Sequence, residues 1–377
     1  MKKIILITPF PDHKNIHTNN TGVASYSYFL VSELKKNINV EVWAQKGNDL
    51  EDLEEENLSV KRVWSKDFSG IFSILKKVWK ERPEMIHIQQ ELSMFDSVFT
   101  FPFSILIFIL PRILGTKVIT TMHGGFGIKQ IDKTFVQENG YSLPPLIIKI
   151  AFYFTFGVIA HVSNKVIVHE DWQKEELRDD YKVSKNKIYV IPHGVPEDVE
   201  ILDKSILKKE MSLEKYDKVF LYMGFAAKYK GLPELFKIYK EYLKNNPKTL
   251  LVVGAGPAAR LKNDTNYMTW YEGLQMMYES LGGNVSWLGF IKSEEIPKYY
   301  SVCDAVLFPY SRRMAASGPL AIAIGFEKDV ALSNVFKNGI TDEEFKFDFE
   351  DVLKTGEMKK ERVWSVVAGE TLAIYKK

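Results

Sequence analysis

Cysteine is nearly absent from this chain. Cys303 is the only one in 377 residues, which excludes an intrachain disulfide and a cysteine-based zinc site and fits a reducing compartment. It stands at the approach to an apolar strand and reads as a small core residue rather than a reactive thiol. An excess of either charge is missing too: 50 Lys and Arg against 48 Asp and Glu leave a net charge of +2, which argues against a nucleic-acid partner. No spacing of His, Asp and Glu suggests a metal. The sequence also lacks the G-x-x-x-x-G-K-[ST] loop and the G-x-S-x-G elbow, so P-loop and α/β-hydrolase chemistries are excluded.

Long clean apolar runs are missing as well. Residues 98–114 are broken by Pro102, Pro111 and Arg112, and residues 146–162 contain Lys149 and His161. Neither supplies the ~20 apolar residues of a spanning helix. Both read as core helices, with a surface that dips into a bilayer as the functional alternative. The start, Met1-Lys2-Lys3 followed by Ile4 to Ile7 and then Thr8-Pro9, has the charge order of a signal peptide. Its apolar run is only four residues long, so it reads as a first buried strand.

The composition that is present, 46% hydrophobic and 26% charged, is that of an ordinary soluble globular protein, and 377 residues exceed one compact core. Short apolar runs alternate with helical patterns: strands are expected at 4–8, 40–44, 85–88, 118–121, 165–168 and 188–191, then at 219–223, 249–253, 285–288, 305–308 and 330–333. The acidic run 49–56 reads as a solvated loop or helix face. Such alternation predicts two doubly wound, Rossmann-like α/β domains with parallel sheets. Residues 1–196 form the first, 197–361 the second, and a C-terminal helix in 362–377 returns to the first. The polar stretch 197–217 after Pro192-His193-Gly194 marks the junction, and His193 reads as a turn or hinge residue.

Several strand ends carry residues suited to binding. In open α/β sheets ligands sit beyond the carboxyl ends of strands. Gly22 opens a helix after a polar loop, His123 ends a strand in Met122-His123-Gly124-Gly125, and Gln89, Gln90 and Glu91 could hydrogen-bond a polyhydroxy acceptor. The first-domain residues are expected to face a cleft between the domains. In the second domain Gly224 follows a strand and permits close backbone approach, and Lys230 stands at a loop-to-helix turn where an ammonium could neutralise a diphosphate. Gly254-Ala255-Gly256-Pro257 matches no dinucleotide fingerprint, since the third glycine is replaced by Ala259, so a mononucleotide donor fits better than NAD. The stretch Arg312-Arg313-Met314-Ala315-Ala316-Ser317-Gly318-Pro319-Leu320 leads from a strand into a helix. Ser317 suits the N-cap and Pro319 the first turn, a place where phosphate binds readily.

Taken together, Thr21 to Tyr26, Thr121 to Gly124, Val166 to His169, Ile191 to Val195, Gly224 to Gly231, Val285 to Phe290, Asp304 to Tyr310 and Ser317-Gly318 resemble the GT-B glycosyltransferases of family GT4, glycosyl transferases group 1, over nearly the whole chain. The resemblance implies a nucleotide-sugar donor (UDP-, GDP- or ADP-linked) held mainly by the second domain and a glycan or lipid-linked acceptor held by the first. It implies hexosyl transfer with retention, in glycan biosynthesis, with no metal and no cofactor; a cytoplasmic location is expected, and the Phe-rich apolar segments make a place at the inner face of the membrane the peripheral alternative. Carried over by position, Lys230 would bind the diphosphate and His123 would contact the donor sugar. Gly22 would approach the phosphate, Ser317 to Leu320 would offer backbone N–H groups, and Phe290 and Ile291 would lie near the nucleobase. Two glutamates that the family usually has are replaced by Met314 and Ile322. The usual arginine before Lys230 is replaced by Phe225, or by Ala227 in a variant, with Lys228, Arg312 or Arg313 as substitutes. These departures keep a catalytically silent, nucleotide-sugar-binding subunit as the alternative, with a nucleotide-sugar epimerase as a third reading.

Overall fold

A computed structural model describes residues 3–12, 22–47, 50–91, 94, 100–124, 127–128, 131–138, 141, 143–258, 261–314, 316–338 and 345–377. Thr21, Gly125, Ala259 and Ala315, on which the sequence reading drew, lie outside them. The chain divides into two compact units, Met1–Gly194 with Trp364–Lys377, and Val195–Val363.

The first unit holds eight strands: β1 (Lys3–Ile7), β2 (Asn39–Gln45), β3 (Leu53–Glu55), β4 (Leu58–Trp64), β5 (Met85–Gln90), β6 (Lys117–Met122), β7 (Lys165–Val168) and β8 (Ile188–Val190). They form one sheet in the order β3-β4-β2-β1-β5-β6-β7-β8, parallel except for the β3–β4 pair. All six residues of β5 are buried, as expected where helices cover both faces. The helices are α1 (Gly22–Leu34), α2 (Phe68–Glu81), α3 (Leu106–Ile113), α4 (Lys133–Glu138), α5 (Pro145–Val162) and α6 (Asp171–Asp179). In α2 the Asp67 carboxylate accepts from the Gly70 N–H at the start, and Arg82 ends the helix in the left-handed region, φ 47°.

The second unit repeats the plan with β9 (Lys218–Met223), β10 (Thr249–Gly254), β11 (Val285–Trp287), β12 (Ala305–Phe308), β13 (Asp329–Leu332) and β14 (Val352–Leu353). Their order is β11-β10-β9-β12-β13-β14, parallel except for the last pair. Its helices are α7 (Lys204–Glu210), α8 (Leu232–Asn245), α9 (Thr265–Glu279), α10 (Ile296–Val302), α11 (Gly318–Gly325), α12 (Asn334–Asn338) and α13 (Gly356–Arg362). The last helix, α14 (Trp364–Lys376), lies in the first unit, where Trp364, Val367, Ala368, Ile374 and Tyr375 share a core with Tyr26 and Leu30 of α1. A Cβ at Gly194 would fall on the Trp364 ring, so the glycine of Pro192-His193-Gly194 admits this helix.

One expectation needs correction. The acidic run is not simply a solvated loop or helix face: Leu53–Glu55 is a strand, turned back through Asn57 (φ 60°) onto β4. β4 shows no apolar run in the sequence, because Lys61 and Arg62 interrupt it, yet Leu58, Val60 and Trp64 are buried. The polar stretch 197–217 contains α7, capped by Asp203 and anchored by buried Leu207. Both sheets reverse their strand order beside the first strand, between β1 and β5 and between β9 and β12, and ligands favour the carboxyl ends at such switch points.

Candidate active site

In the second unit, the segments that leave β9 and β12 meet at the switch point. The turn after β9 is tied to the loop after β12 by two hydrogen bonds to the Tyr229 carbonyl, from the Ser311 N–H at 2.8 Å and the Ser311 hydroxyl at 3.2 Å. Gly231 makes this approach possible. Its φ is +69°, and a Cβ there would fall on the Pro309 carbonyl oxygen. At Gly224, with φ +141°, an added Cβ would stand 2.7 Å from Lys230 Nζ and 3.5 Å from Pro319 Cγ. Gly224, Lys230 and Pro319, chosen separately from the sequence, therefore converge.

Lys230 is the unusual member. It is 8% exposed, and its ammonium has neither an acid nor a hydrogen-bond acceptor among the described residues. It lies over the face of Tyr310, with Nζ 5.6 Å from the ring centroid. Burial pushes its pKa down from 10.5 to about 8. A buried cation with no counter-charge is costly, and an anionic ligand would relieve that cost. Around it, burial raises the pKa of the Tyr310 and Tyr222 hydroxyls, which have no hydrogen-bond partner among the described residues.

The other predicted donor-side residues divide. Ser317 caps α11, and its hydroxyl takes the Leu320 N–H at 3.4 Å. Pro319 has no N–H. With the Leu320 N–H taken by the Ser317 hydroxyl, Gly318 supplies the donor of the first helical turn. Phe290 is 66% exposed, whereas the Ile291 side chain turns into the core and packs on Gly254. Ile291 thus cannot present its side chain to a base. Gly256 accommodates the backbone of Phe290, so these two glycines serve packing between loops. Lys228 is exposed beside the site, and Arg312 and Arg313 are half-buried on the loop after β12. Met314 and Ile322 pack against the apolar core.

In the first unit, the ends of β5 and β6 hold a chain of hydrogen bonds that includes Gln89 and His123. Tyr375 of α14 lies 2.6 Å from His87 Nδ1, and His87 Nε2 lies 2.8 Å from the Thr121 hydroxyl and 3.4 Å from the Gln89 amide. The same amide lies 2.7 Å from His123 Nε2, and His123 Nδ1 lies 3.1 Å from His169 Nε2. His169 Nδ1 donates to the Ile191 carbonyl at 3.0 Å. That bond leaves a lone pair on His169 Nε2, so His123 donates from Nδ1 and accepts at Nε2. With neutral rings, Gln89 must then turn its NH2 towards His123, an assignment of the amide that the hydrogen-bond network decides. Burial and the neighbouring imidazoles hold the His123 pKa well below its usual value, and burial alone takes His87 down to about 3.

Both ring nitrogens of His123 are thus occupied, and Tyr26 packs edge-on at 4.6 Å between ring centroids. Gln90 is buried with neither side-chain polar atom partnered among the described residues, and Glu91 is half-buried beside it. Gly22, at the start of α1, is exposed and meets no atom within 4 Å of an added Cβ, so no packing among the described residues requires a glycine there. Period-two reading of β5 could have found His87 beside Gln89. Tyr375 lies 288 residues further on and had no local signal.

Two family models match in the order of the two units: Glycosyltransferase Family 4 over residues 20–199 and Glycosyl transferases group 1 over residues 203–324. The chain belongs to the family 4, group 1 glycosyltransferases. This glycosyltransferase has the GT-B fold, as its structural likenesses agree. A sucrose-phosphate synthase from Thermosynechococcus elongatus matches with a TM-score of 0.70 and 17% identity, covering 100% of this chain and 98% of that one. A glycosyltransferase from Rickettsia africae matches at 0.66 and 15%, covering 100% and 98%. Anabaena Alr3699/HepE in complex with UDP-glucose matches at 0.60 and 14%, covering 100% and 95%. No curated protein matches the sequence.

The depressed pKa of Lys230 gives this glycosyltransferase a testable pH dependence. Below about 8 the free ammonium is charged and ready for an anion. Above that, binding a diphosphate must be accompanied by proton uptake, so affinity for a nucleoside diphosphate is expected to fall about tenfold per pH unit. The stability effect has the opposite slope: between about 8 and 10.5 the unfolded chain holds the extra proton, so the cost of burying Lys230 is relieved as pH rises. Calorimetric titration at pH 7, 8 and 9 checks the first effect; a flat affinity would remove Lys230 from the site.

Proposed function

We propose that the chain transfers a hexose from a nucleotide sugar to a hydroxyl of a glycan or lipid-linked acceptor, with retention of anomeric configuration and without a metal. The second unit holds the donor and the first the acceptor. The observation that carries this reading is Lys230, a buried ammonium without a counter-charge at the β9–β12 switch point. The bond from the sugar C1 to the diphosphate oxygen breaks, and a bond from C1 to the acceptor oxygen forms on the same face. The acceptor's proton goes to the departing phosphate. Lys230 and the Gly318 N–H stabilise the negative charge that builds on that phosphate, with Lys228, Arg312 and Arg313 close enough in sequence to contribute. His123 serves as an oriented, uncharged ring against the donor sugar rather than as a proton carrier, because both its nitrogens are engaged. Gln89 is partly committed to the same network. Gln90 and Glu91 are the acceptor-side candidates, with Gly22 beside a phosphate.

A transfer assay with UDP-, GDP- and ADP-sugars and a panel of glycan and polyprenyl acceptors tests this. The expected product keeps the anomeric configuration of the donor by proton NMR, appears with one equivalent of nucleoside diphosphate, and forms equally in EDTA. An inverted product or a strict metal requirement contradicts the mechanism. The silent-subunit reading is motivated by Met314 and Ile322, which place apolar side chains against the core where the family usually has carboxylates. Binding of a nucleotide sugar without transfer to any acceptor would favour it.

A further inference from the structure

The first unit carries an apolar surface that the donor-site reading does not use. α2 turns one stripe outward, Phe68, Phe72 and Trp79, at helical spacing, with Lys76 and Lys80 on the same stripe. Phe68 touches Phe72 and Phe103 edge-on, at 5.3 and 5.2 Å between ring centroids. The segment 101–113 packs against both α2 and α5 and leaves Phe103 and Ile113 exposed. α5 adds Leu146, Ile150 and Phe154, with Lys149 between them. By length and composition α5 is the one helix among the described residues that could cross a membrane. Its other face, Ile148, Phe152, Phe156 and Ile159, is locked in the cores beneath, so the helix lies along the surface.

Charge on the two apolar segments of this surface is basic only, while α2 also carries Asp67 and Glu81 at its ends. Segments 101–113 and 145–162 contain Arg112 and Lys149 and no acid. The acids at the ends of α2 are engaged: Asp67 accepts from Ser65, Ser69 and Gly70, and Glu81 pairs with Lys77. Lys76, Lys80 and Lys149 have no ion-pair partner among the described residues. Exposed aromatics interleaved with free lysines suit the boundary between headgroups and acyl chains, where rings enter and ammonium groups reach back to phosphate.

We propose that α2, residues 101–113 and α5 together form a docking face for an anionic lipid bilayer. This goes beyond the donor-site reading and does not depend on it.

Co-sedimentation of the purified full chain with vesicles tests the assignment, using phosphatidylcholine alone and phosphatidylcholine with phosphatidylglycerol. The chain is expected to partition onto the anionic vesicles. Phe72→Glu with Phe154→Glu should reduce partitioning about tenfold or more. Lys76→Gln with Lys149→Gln should reduce it about fivefold per lysine, with no change in the melting temperature. All four side chains lie at the surface, and a melting curve confirms that each variant is folded. Failure of the wild-type chain to sediment with anionic vesicles would overturn the proposal. So would equal partitioning of the folded lysine variant, or a wild-type dimer in ultracentrifugation that the aromatic variant dissolves while vesicle binding is unchanged.

Discussion

Lys230→Met is expected to lower sugar transfer about 10²- to 10³-fold while leaving the unfolding temperature unchanged or higher. The two halves of this result come from one fact. The ammonium is almost fully buried and has no acid or hydrogen-bond acceptor among the described residues, so in the free protein it is a burden on stability. Methionine fills the same volume with an apolar chain and removes that burden. It also removes the charge proposed to stand opposite the donor phosphate, which would matter most when negative charge builds on the leaving group. Lys228→Ala, at an exposed position on the same turn, should change transfer far less. Initial rates and melting curves on the three proteins decide the matter. A Met variant that keeps full activity, or that loses several degrees of stability, would show that Lys230 serves the fold.

Gly231→Ala is expected to destabilise the second unit by about 2–4 kcal/mol and to abolish donor binding. Its left-handed φ of +69° already disfavours a side chain, and the new methyl would fall on the carbonyl oxygen of Pro309. Backbone cannot move aside as a flexible side chain can. Relief requires the loop after β12 to separate from the turn after β9, which breaks the bonds from Ser311 to Tyr229 and pulls Tyr310 from Lys230. Gly224→Ala makes a useful contrast: its φ of +141° also disfavours a side chain, but the close contact of the new methyl is with the end of the lysine side chain rather than with backbone. Urea unfolding measures the first effect and nucleotide titration the second. A Gly231→Ala protein of wild-type stability would show that the two loops are not coupled in this way.

These expectations depend on features that were unevenly legible in the sequence. The parallel strands were plain, because a strand covered on both faces reads as an apolar run: β9, β10 and β12 appear almost to the residue. The edges were not. β3 is short and charged, β4 is interrupted by Lys61 and Arg62, and β14 has only two residues. In the site, Gly224, Lys230 and Pro319 were each marked by position at a strand end or helix start. The burial of Lys230 was invisible, since Lys228 two residues earlier is the same residue type in the same turn and is exposed. Burial there depends on how the loop after β12 closes over the turn. The link from Tyr375 through His87 and Gln89 to His123 was equally hidden, because it joins α14 to β5 across most of the chain. Ile291 was marked by position alone, and the inward turn of its side chain was not legible in the sequence.

The central claim is that Lys230 marks a nucleotide-sugar site in the second unit. Calorimetric titration of the wild-type and Lys230→Met proteins with UDP, GDP, ADP and their glucose or mannose conjugates tests it most directly. The account predicts that one nucleotide family binds the wild-type chain and that the variant loses about tenfold or more of that affinity. No binding of any nucleotide by the folded wild-type protein, or equal binding by the variant, would contradict it.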